Sequence, residues 1–153
     1  YKLEYLKSRI HRPIRVCGMV KNEGEPGGGP FWIKKENGEL SLQIVETNQI
    51  NSKSKQQNAI AKSATHFNPV DIVCGVKDYK GNKYNLENFI DTNTHFVAVK
   101  NKYGKKLKTL ERPGLWNGGM AQWNTVFVEV PLSTFNPVKK ITDLLKAPHQ
   151  LQD

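Results

Sequence analysis

The fold is indicated first by a strand pattern that leads into a predicted helix, in residues 125–146, TVFVEVPLSTFNPVKKITDLLK. Thr125 to Val130 is rich in β-branched and aromatic residues, which is typical of a strand. Val138 to Lys146 repeats apolar side chains at helical spacing, and Asn136 and Pro137 suit an N-cap and a first helical position. A strand followed by a helix in this way predicts an α/β fold.

Lys139 and Lys140 stand in the first turn of this predicted helix, where the helix dipole disfavours cations. An anion bound at the helix start would reverse that penalty, because free backbone N–H groups and the lysines would both contact it. The alternative is that both side chains turn into solvent and hold no ligand. The sequence leaves both interpretations open.

The tetrapeptide FNPV occurs twice, at residues 135–138 and at residues 67–70. We interpret the earlier copy as another helix start, with Asp71 in the first turn, where the dipole favours an acid. Residues 72–76, IVCGV, could equally belong to a buried strand, and Gly75 counts against a helix.

Alternation and periodicity predict further elements on either side of these segments. They are a helix at Tyr1 to Ile10, a strand at Ile14 to Val20, a hairpin of Phe31 to Lys34 and Leu40 to Glu46 around residues 36–38, a helical turn within Asn85 to Ile90 and a strand at His95 to Lys100. Residues 51–64 are either a surface helix or a mobile connection. We expect one domain, in which residues 1–13 are a leading helix and loop and residues 147–153 a loose tail.

Composition argues against a membrane-spanning helix and points to an anionic partner. The chain has 153 residues with 23 basic and 14 acidic side chains, a formal net charge of +9. No stretch approaches the roughly 20 apolar residues of a membrane span, and Cys17 and Cys74 suit a reduced, cytoplasmic protein. The charge also admits a non-catalytic module that binds nucleic acid or an anionic glycan, although no RNA-binding motif occurs.

Glycine-rich segments supply the other candidate binding features. Residues 27–29 are three consecutive glycines, which let backbone N–H groups approach a ligand, although a plain hairpin end explains them as well. Neither a Walker loop nor a dinucleotide fingerprint is present. Trp116 and Trp123 lie in and after a second glycine-containing segment, where they could line a substrate or pin a loop. The four histidines are too scattered to predict a zinc site.

Residues 135–145, FNPVKKITDLL, resemble the F-x-P-V-K-x-x-x-D-L-L segment of eukaryotic-type UDP-glucose pyrophosphorylases. Further segments are similar to that family in the same order, namely GGGPF at residues 27–31, GEL at 38–40, QIVETNQI at 43–50 and HFN at 66–68. The lysine segment is specific, and the others gain weight from their order. The chain also resembles a bacterial family known as a domain of unknown function, within the same glycosyltransferase-A-like group.

The resemblance implies a Rossmann-like mixed sheet flanked by helices, of the glycosyltransferase-A type, and nucleotidyl transfer from a nucleoside triphosphate to a sugar 1-phosphate. Lys139 would be the catalytic residue that contacts the phosphates, and Asp71 would be a ligand of Mg²⁺. The implied substrate-binding residues are Glu46 and Asn68, which would bind sugar hydroxyls, and Gly28 and Gly29, which would line the sugar pocket. The partners would be a sugar phosphate with a nucleoside triphosphate, or a nucleotide sugar.

The nucleotide-binding motifs of that family, G-G-x-G-[TS]-R-[LM], a downstream P-K and a metal-binding aspartate, do not occur in these residues. We therefore expect the chain to be the sugar-binding, C-terminal part of a larger nucleotidyltransferase, inactive alone, with the nucleotide half preceding Tyr1. This interpretation disfavours nucleic acid and membranes as partners. A degenerate nucleotidyltransferase, with the fold kept and the chemistry lost, is the other alternative.

Overall fold

The computed structural model describes residues 2–24, 27–35 and 37–151, and of Asn68 it describes the backbone alone. These residues have a mixed α/β fold, which confirms the predicted class at this level. The elements are the helices α1 (Lys2–Ile10) and α2 (Lys55–Lys62) and the strands β1 (Ile14–Lys21), β2 (Gly29–Lys34), β3 (Leu40–Val45), β4 (His66–Gly75), β5 (Phe96–Lys102), β6 (Lys105–Glu111) and β7 (Asn124–Glu129). No helix among the described residues is long and apolar enough to cross a membrane.

β1 is the central strand of the main sheet, whose order is β4-β1-β7. It is antiparallel to β4 and parallel to β7. The carboxyl ends of β1 and β7 and the start of β4 therefore lie together at one end of the sheet. β2 with β3 and β5 with β6 form two further antiparallel pairs. The Rossmann-like, glycosyltransferase-A arrangement stays a prediction.

The core is built around β1. Cys17 and Met19 of β1 are buried together with Ile44 of β3, and Ile72 of β4 and Phe127 of β7 pack against them. Burial raises the pKa of the Cys17 thiol, which favours its neutral form. This cluster joins the main sheet to the β2–β3 pair. The candidate site lies where these two sheets meet, near the carboxyl ends of β1 and β7.

Several predicted elements are confirmed. The strand predicted at Ile14 to Val20 is β1, the predicted hairpin is β2 with β3, and the helical turn predicted within Asn85 to Ile90 is a 3-10 turn. Glu36, in the predicted hairpin turn, lies outside the described residues. α2 decides between the two alternatives for residues 51–64, and it begins where the hydroxyl of Ser54 accepts the N–H of Gln57. At the C-terminus, Ala147–His149 form a 3-10 turn.

The helix predicted after residue 67 is wrong, because residues 66–75 form strand β4. Its β-branched residues Val70, Ile72 and Val73 favour extended chain. Pro69 is tolerated because β4 is an edge strand and its register with β1 shifts beside Met19, so the chain bulges where proline cannot donate a hydrogen bond. Asp71 therefore lies within a strand and not in the first turn of a helix.

The helix predicted at Val138 to Lys146 is also wrong. Lys140 is extended, with φ −133° and ψ 153°, and a single 3-10 turn covers Ile141–Leu145. Ile141 and Leu145 are 84% and 76% exposed, so the apolar stripe that suggested a helix packs on nothing that would stabilise one. The two lysines consequently do not stand at the N-terminus of an α-helix.

The sequence did not predict β6. Its residues, KKLKTLE, offer only two apolar side chains and resemble a solvated segment. The turn that joins it to β5 is the stronger signal, because Tyr103 and Gly104 both have positive φ, 52° and 77°. Two such residues form the tight turn that matches the twist of a hairpin.

Candidate functional site

Gly28 and Gly29 lie where three chain segments meet. A Cβ on Gly28 would lie 2.6 Å from the carbonyl oxygen of Val45 and 3.1 Å from Cα of Glu46. A Cβ on Gly29 would lie 3.0 Å from the carbonyl oxygen of His66. The absence of side chains thus lets the start of β2 lie between the end of β3 and the start of β4.

A cavity of about 230 Å³ opens beside these glycines. Its lining includes residues 27–29, Thr47, His66 and Phe67 on the sheet side, and residues of α2 on the other. The hydroxyl of Thr47 donates to the carbonyl oxygen of Gly27 over 2.6 Å, which ties the glycine segment to the turn after β3. We call this space the glycine cavity.

Glu46 follows the last residue of β3 and lies beside Gly28. Its backbone N–H donates to Oε1 of Gln49 over 2.9 Å, and its carbonyl oxygen accepts the N–H of Gln49 over 2.9 Å. These two bonds fix the backbone of Glu46 at the rim of the glycine cavity. The backbone of Asn68 belongs to β4, one residue after Phe67, and the side chain of Asn68 lies outside the described residues.

His66 and Glu129 join the edges of β4 and β7, and sequence reasoning did not single out Glu129. Nε2 of His66 lies 3.1 Å from Oε2 of Glu129, and Nζ of Lys21 lies 3.5 Å from Oε1. The hydrogen bond from His66 and the Lys21 ammonium hold the pKa of Glu129 below its ordinary value. The signal that could have found Glu129 is its position at the carboxyl end of a strand parallel to β1.

An aromatic contact holds the segment that carries Lys139 near the start of β4. The rings of Phe67 and Phe135 meet edge to face, with centroids 4.9 Å apart, so the two copies of the FNPV tetrapeptide touch. The backbone N–H groups of Lys139 and Lys140 both donate to Oδ2 of Asp143 over 2.9 Å. Those N–H groups are therefore already bonded, which removes the helix-start argument for an anion here.

The Lys139 side chain itself is exposed, and within the described part of the chain no carboxylate lies at ion-pair distance from its ammonium. Lys146, by contrast, pairs with Oδ1 of Asp143 over 2.8 Å. Among the described residues the Lys139 ammonium is thus exposed and outside any ion pair, while its backbone is fixed by Asp143.

Asp71 lies apart from the glycine cavity. It is five residues along β4 from His66, a distance of about 15 Å along a strand. Its carboxylate occupies the space that a side chain on Gly18 would fill. Among the described residues, no three His, Cys, Asp or Glu side chains group closely enough to hold a metal ion.

The family described as Domain of unknown function (DUF4301) matches residues 1–150. The chain belongs to this family. A comparison with curated proteins gives no match.

Among solved structures, this DUF4301 chain is similar to a mutant UDP-glucose pyrophosphorylase from Leishmania major in complex with UDP-glucose. The sequence identity is 17% and the TM-score 0.47. The match covers 94% of this chain and 32% of that one, so the chain spans about a third of the length of that protein.

The DUF4301 chain brings some of the predicted site residues together and separates others. Gly28 and Gly29 line the glycine cavity, the backbone of Glu46 adjoins Gly28, and the backbone of Asn68 follows the lining residue Phe67. Lys139 lies on the segment that the Phe67–Phe135 contact holds near the start of β4. Asp71 lies farther along β4.

Proposed function

We propose that this chain is the sugar-phosphate-binding part of a sugar-1-phosphate nucleotidyltransferase. The observation that carries the proposal is the convergence of segments that are distant in sequence. Residues 27–29, Thr47, His66 and Phe67 line one cavity, and they belong to segments that resemble the pyrophosphorylase family in the same order. Glu46 and Asn68 are the chain neighbours of Thr47 and Phe67.

Each group at the cavity has a chemical role in this proposal. Residues 27–29 line the cavity, so their backbone groups contact the sugar in this proposal. The carboxylate of Glu46 accepts hydrogen bonds from sugar hydroxyls, and the amide of Asn68 does so as well. The ammonium of Lys139 stabilises negative charge on the phosphates as the sugar phosphate oxygen attacks the α-phosphorus and pyrophosphate leaves. No side-chain nucleophile is needed.

In this proposal Mg²⁺ binds only when the substrate is also bound. Asp71 offers one carboxylate, and Mg²⁺ is commonly bound by one or two carboxylates with substrate phosphate oxygens. Asp71 would be one protein ligand, with phosphates as others, only where the substrate phosphates extend from the glycine cavity along β4, because about 15 Å of strand separates Asp71 from His66. The ion would supply charge neutralisation at the phosphates.

The test is nucleotide-sugar turnover by the natural protein that contains this chain. With UDP-glucose, UDP-N-acetylglucosamine and other nucleotide sugars as substrates, Lys139→Ala should lower pyrophosphorolysis by about 10²–10³-fold, the loss typical of a missing transition-state donor. Lys139→Arg keeps the charge and should retain more activity, and Lys53→Ala is a matched surface control. A wild-type rate for Lys139→Ala would refute the role of this lysine, and no turnover of any nucleotide sugar would refute the catalytic proposal.

A further inference from the structure

A buried positive charge lies at the opposite end of β1 from the glycine cavity. Arg15 is 2% exposed; its Nε donates to Oγ1 of Thr125 over 2.9 Å and its Nη2 donates to Oε1 of Gln43 over 3.3 Å. Both partners are neutral, and in the described ranges no carboxylate forms an ion pair with Arg15. Buried charges are normally paired, because removal from water is costly. The missing counter-charge calls for an explanation.

A cavity of about 210 Å³ lies directly in front of Thr125. Thr125, Ser41, Trp123 and Arg9 are among the residues that line it. Since Oγ1 of Thr125 accepts the Nε–H of Arg15, the Thr125 hydroxyl hydrogen points away from the guanidinium and remains to be donated. Arg15 thus polarises a donor on the cavity wall without lining the cavity itself. We call this space the arginine-backed cavity.

Two residues of this lining, Trp123 and Ser41, carry further donors that have no acceptor in the described part of the chain. Trp123 is 6% exposed, and its indole Nε1 is buried without a hydrogen-bond partner in the described part of the chain. Buried indole N–H groups usually find an acceptor. The hydroxyl of Ser41 accepts from Nε2 of Gln43 over 3.4 Å, which leaves its own hydrogen free to be donated.

Glu39, which precedes the lining residue Leu40, does not neutralise Arg15. Oε1 of Glu39 lies 2.8 Å from Nη2 of Arg9, and Oε2 lies 3.3 Å from Nζ of Lys35. Burial alone would raise the pKa of Glu39, but Lys35 and Arg9 together outweigh it and hold that pKa below its ordinary value. Glu39 is therefore already shared by two cations on the cavity rim.

We propose that the arginine-backed cavity binds a small oxyanion, a phosphate or carboxylate group, which accepts hydrogen bonds from the hydroxyls of Thr125 and Ser41, lies against Trp123 and balances the charge of Arg15. This site is separate from the glycine cavity, because Arg15 pairs with Thr125 at the start of the parallel strands and not at their carboxyl ends. It does not depend on the proposed nucleotidyltransferase function.

The test observes the indole N–H signals of ¹⁵N-tryptophan-labelled protein by NMR. The Trp123 signal is identified as the one lost in Trp123→Phe, and Trp116, which is not among the residues that line this cavity, serves as the control. Inorganic phosphate should shift the Trp123 signal saturably and leave Trp116 unmoved at constant ionic strength. Acetate in a parallel titration distinguishes a phosphate site from a carboxylate site. If neither anion shifts Trp123, or if chloride shifts it equally, the proposal fails.

Two variants test the named donors. Ser41→Ala and Thr125→Val should each weaken binding of the anion by about tenfold, the effect of one lost hydrogen bond to a charged group. Ser41→Ala leaves both hydrogen bonds of Arg15 intact, so it remains informative if Thr125→Val unfolds. Ser52→Ala, on the exposed turn before α2, is the matched control. Unchanged affinity in Ser41→Ala together with wild-type behaviour of any folded Thr125→Val would overturn the assignment.

Discussion

Gly28 shows how one missing side chain sets the geometry of the candidate site. The atoms that a Cβ would meet belong to the backbone of Val45 and Glu46, which cannot rotate away as a side chain could. Glu46 can therefore lie at the rim of the glycine cavity only while residue 28 stays small. The sequence showed that residues 27–29 are glycines, but it could not show which backbone they approach, because that neighbour is 18 residues away.

Substitution of Gly28 tests this close approach. Gly28→Ala should lower the free energy of unfolding by about 1–3 kcal/mol, the usual cost of overpacking. Gly114→Ala is the matched control, because its Cβ would meet Oδ1 of Asn117 at 3.4 Å and the carbonyl oxygen of Arg112 at 3.8 Å, both ordinary contact distances. Urea denaturation measures both variants. Equal midpoints for the two would show that the start of β2 is not packed as described.

At the scale of elements, sequence patterns predicted the strands better than the helices. β1 and β7 were found because their β-branched residues fill a packed sheet. The helix at Val138 to Lys146 was wrong because a 3.6-residue apolar stripe forms a helix only when something covers it, and Ile141 and Leu145 stay exposed. The sequence did not predict β6 because its lysines are typical of a solvated segment. In the structure β6 pairs with β5.

The turn between β5 and β6 gives an element-scale prediction. Tyr103 is 93% exposed and has φ 52°, a conformation that Asn adopts more readily than Tyr. Tyr103→Asn creates the favoured Asn-Gly turn and should raise the free energy of unfolding by about 0.5–1 kcal/mol. Tyr79→Asn, at an exposed tyrosine without positive φ, should not. Thermal denaturation of both variants measures the change in stability. If Tyr103→Asn does not raise the free energy of unfolding, the turn assignment is contradicted.

Asp143 gives a prediction about pH for the lysine segment. Hydrogen bonds from Lys146 and from the backbone N–H groups of Lys140 and Lys139 hold the pKa of Asp143 well below its ordinary value of 3.8. Because the folded pKa is the lower one, these bonds stabilise the segment above about pH 3.8 and are lost as the pH falls through the folded value. NMR titration of the Asp143 carboxyl should show this low pKa.

Lys146→Ala is the control for that titration. It removes the first of these hydrogen bonds and should move the pKa of Asp143 back toward its ordinary value. Lys140→Ala keeps the backbone N–H and should change the pKa little. If the pKa of Asp143 is the same with and without Lys146, the described contacts do not hold this segment.

At the scale of the whole molecule, the mixed α/β class and the order of motifs along the chain could be predicted from the sequence. The convergence of these motifs in space could not be predicted, because the contacts that bring them together join residues that are distant in sequence. The Phe67–Phe135 contact and the His66–Glu129 hydrogen bond span 68 and 63 residues. Arg15 is the clearest case of what no pattern revealed, since its position in a strand looked ordinary until its burial was known.

The most direct test of the central claim is hydrogen exchange, measured by mass spectrometry, on the natural protein that contains this chain. UDP-glucose and UDP-N-acetylglucosamine are the probes, and Glu46→Ala is the control variant. We predict slower exchange at residues 27–31, 44–50 and 66–69 when a nucleotide sugar binds, with no change at residues 96–111 and a weaker effect in Glu46→Ala. Binding that slows exchange elsewhere and leaves these three segments unchanged would contradict the account.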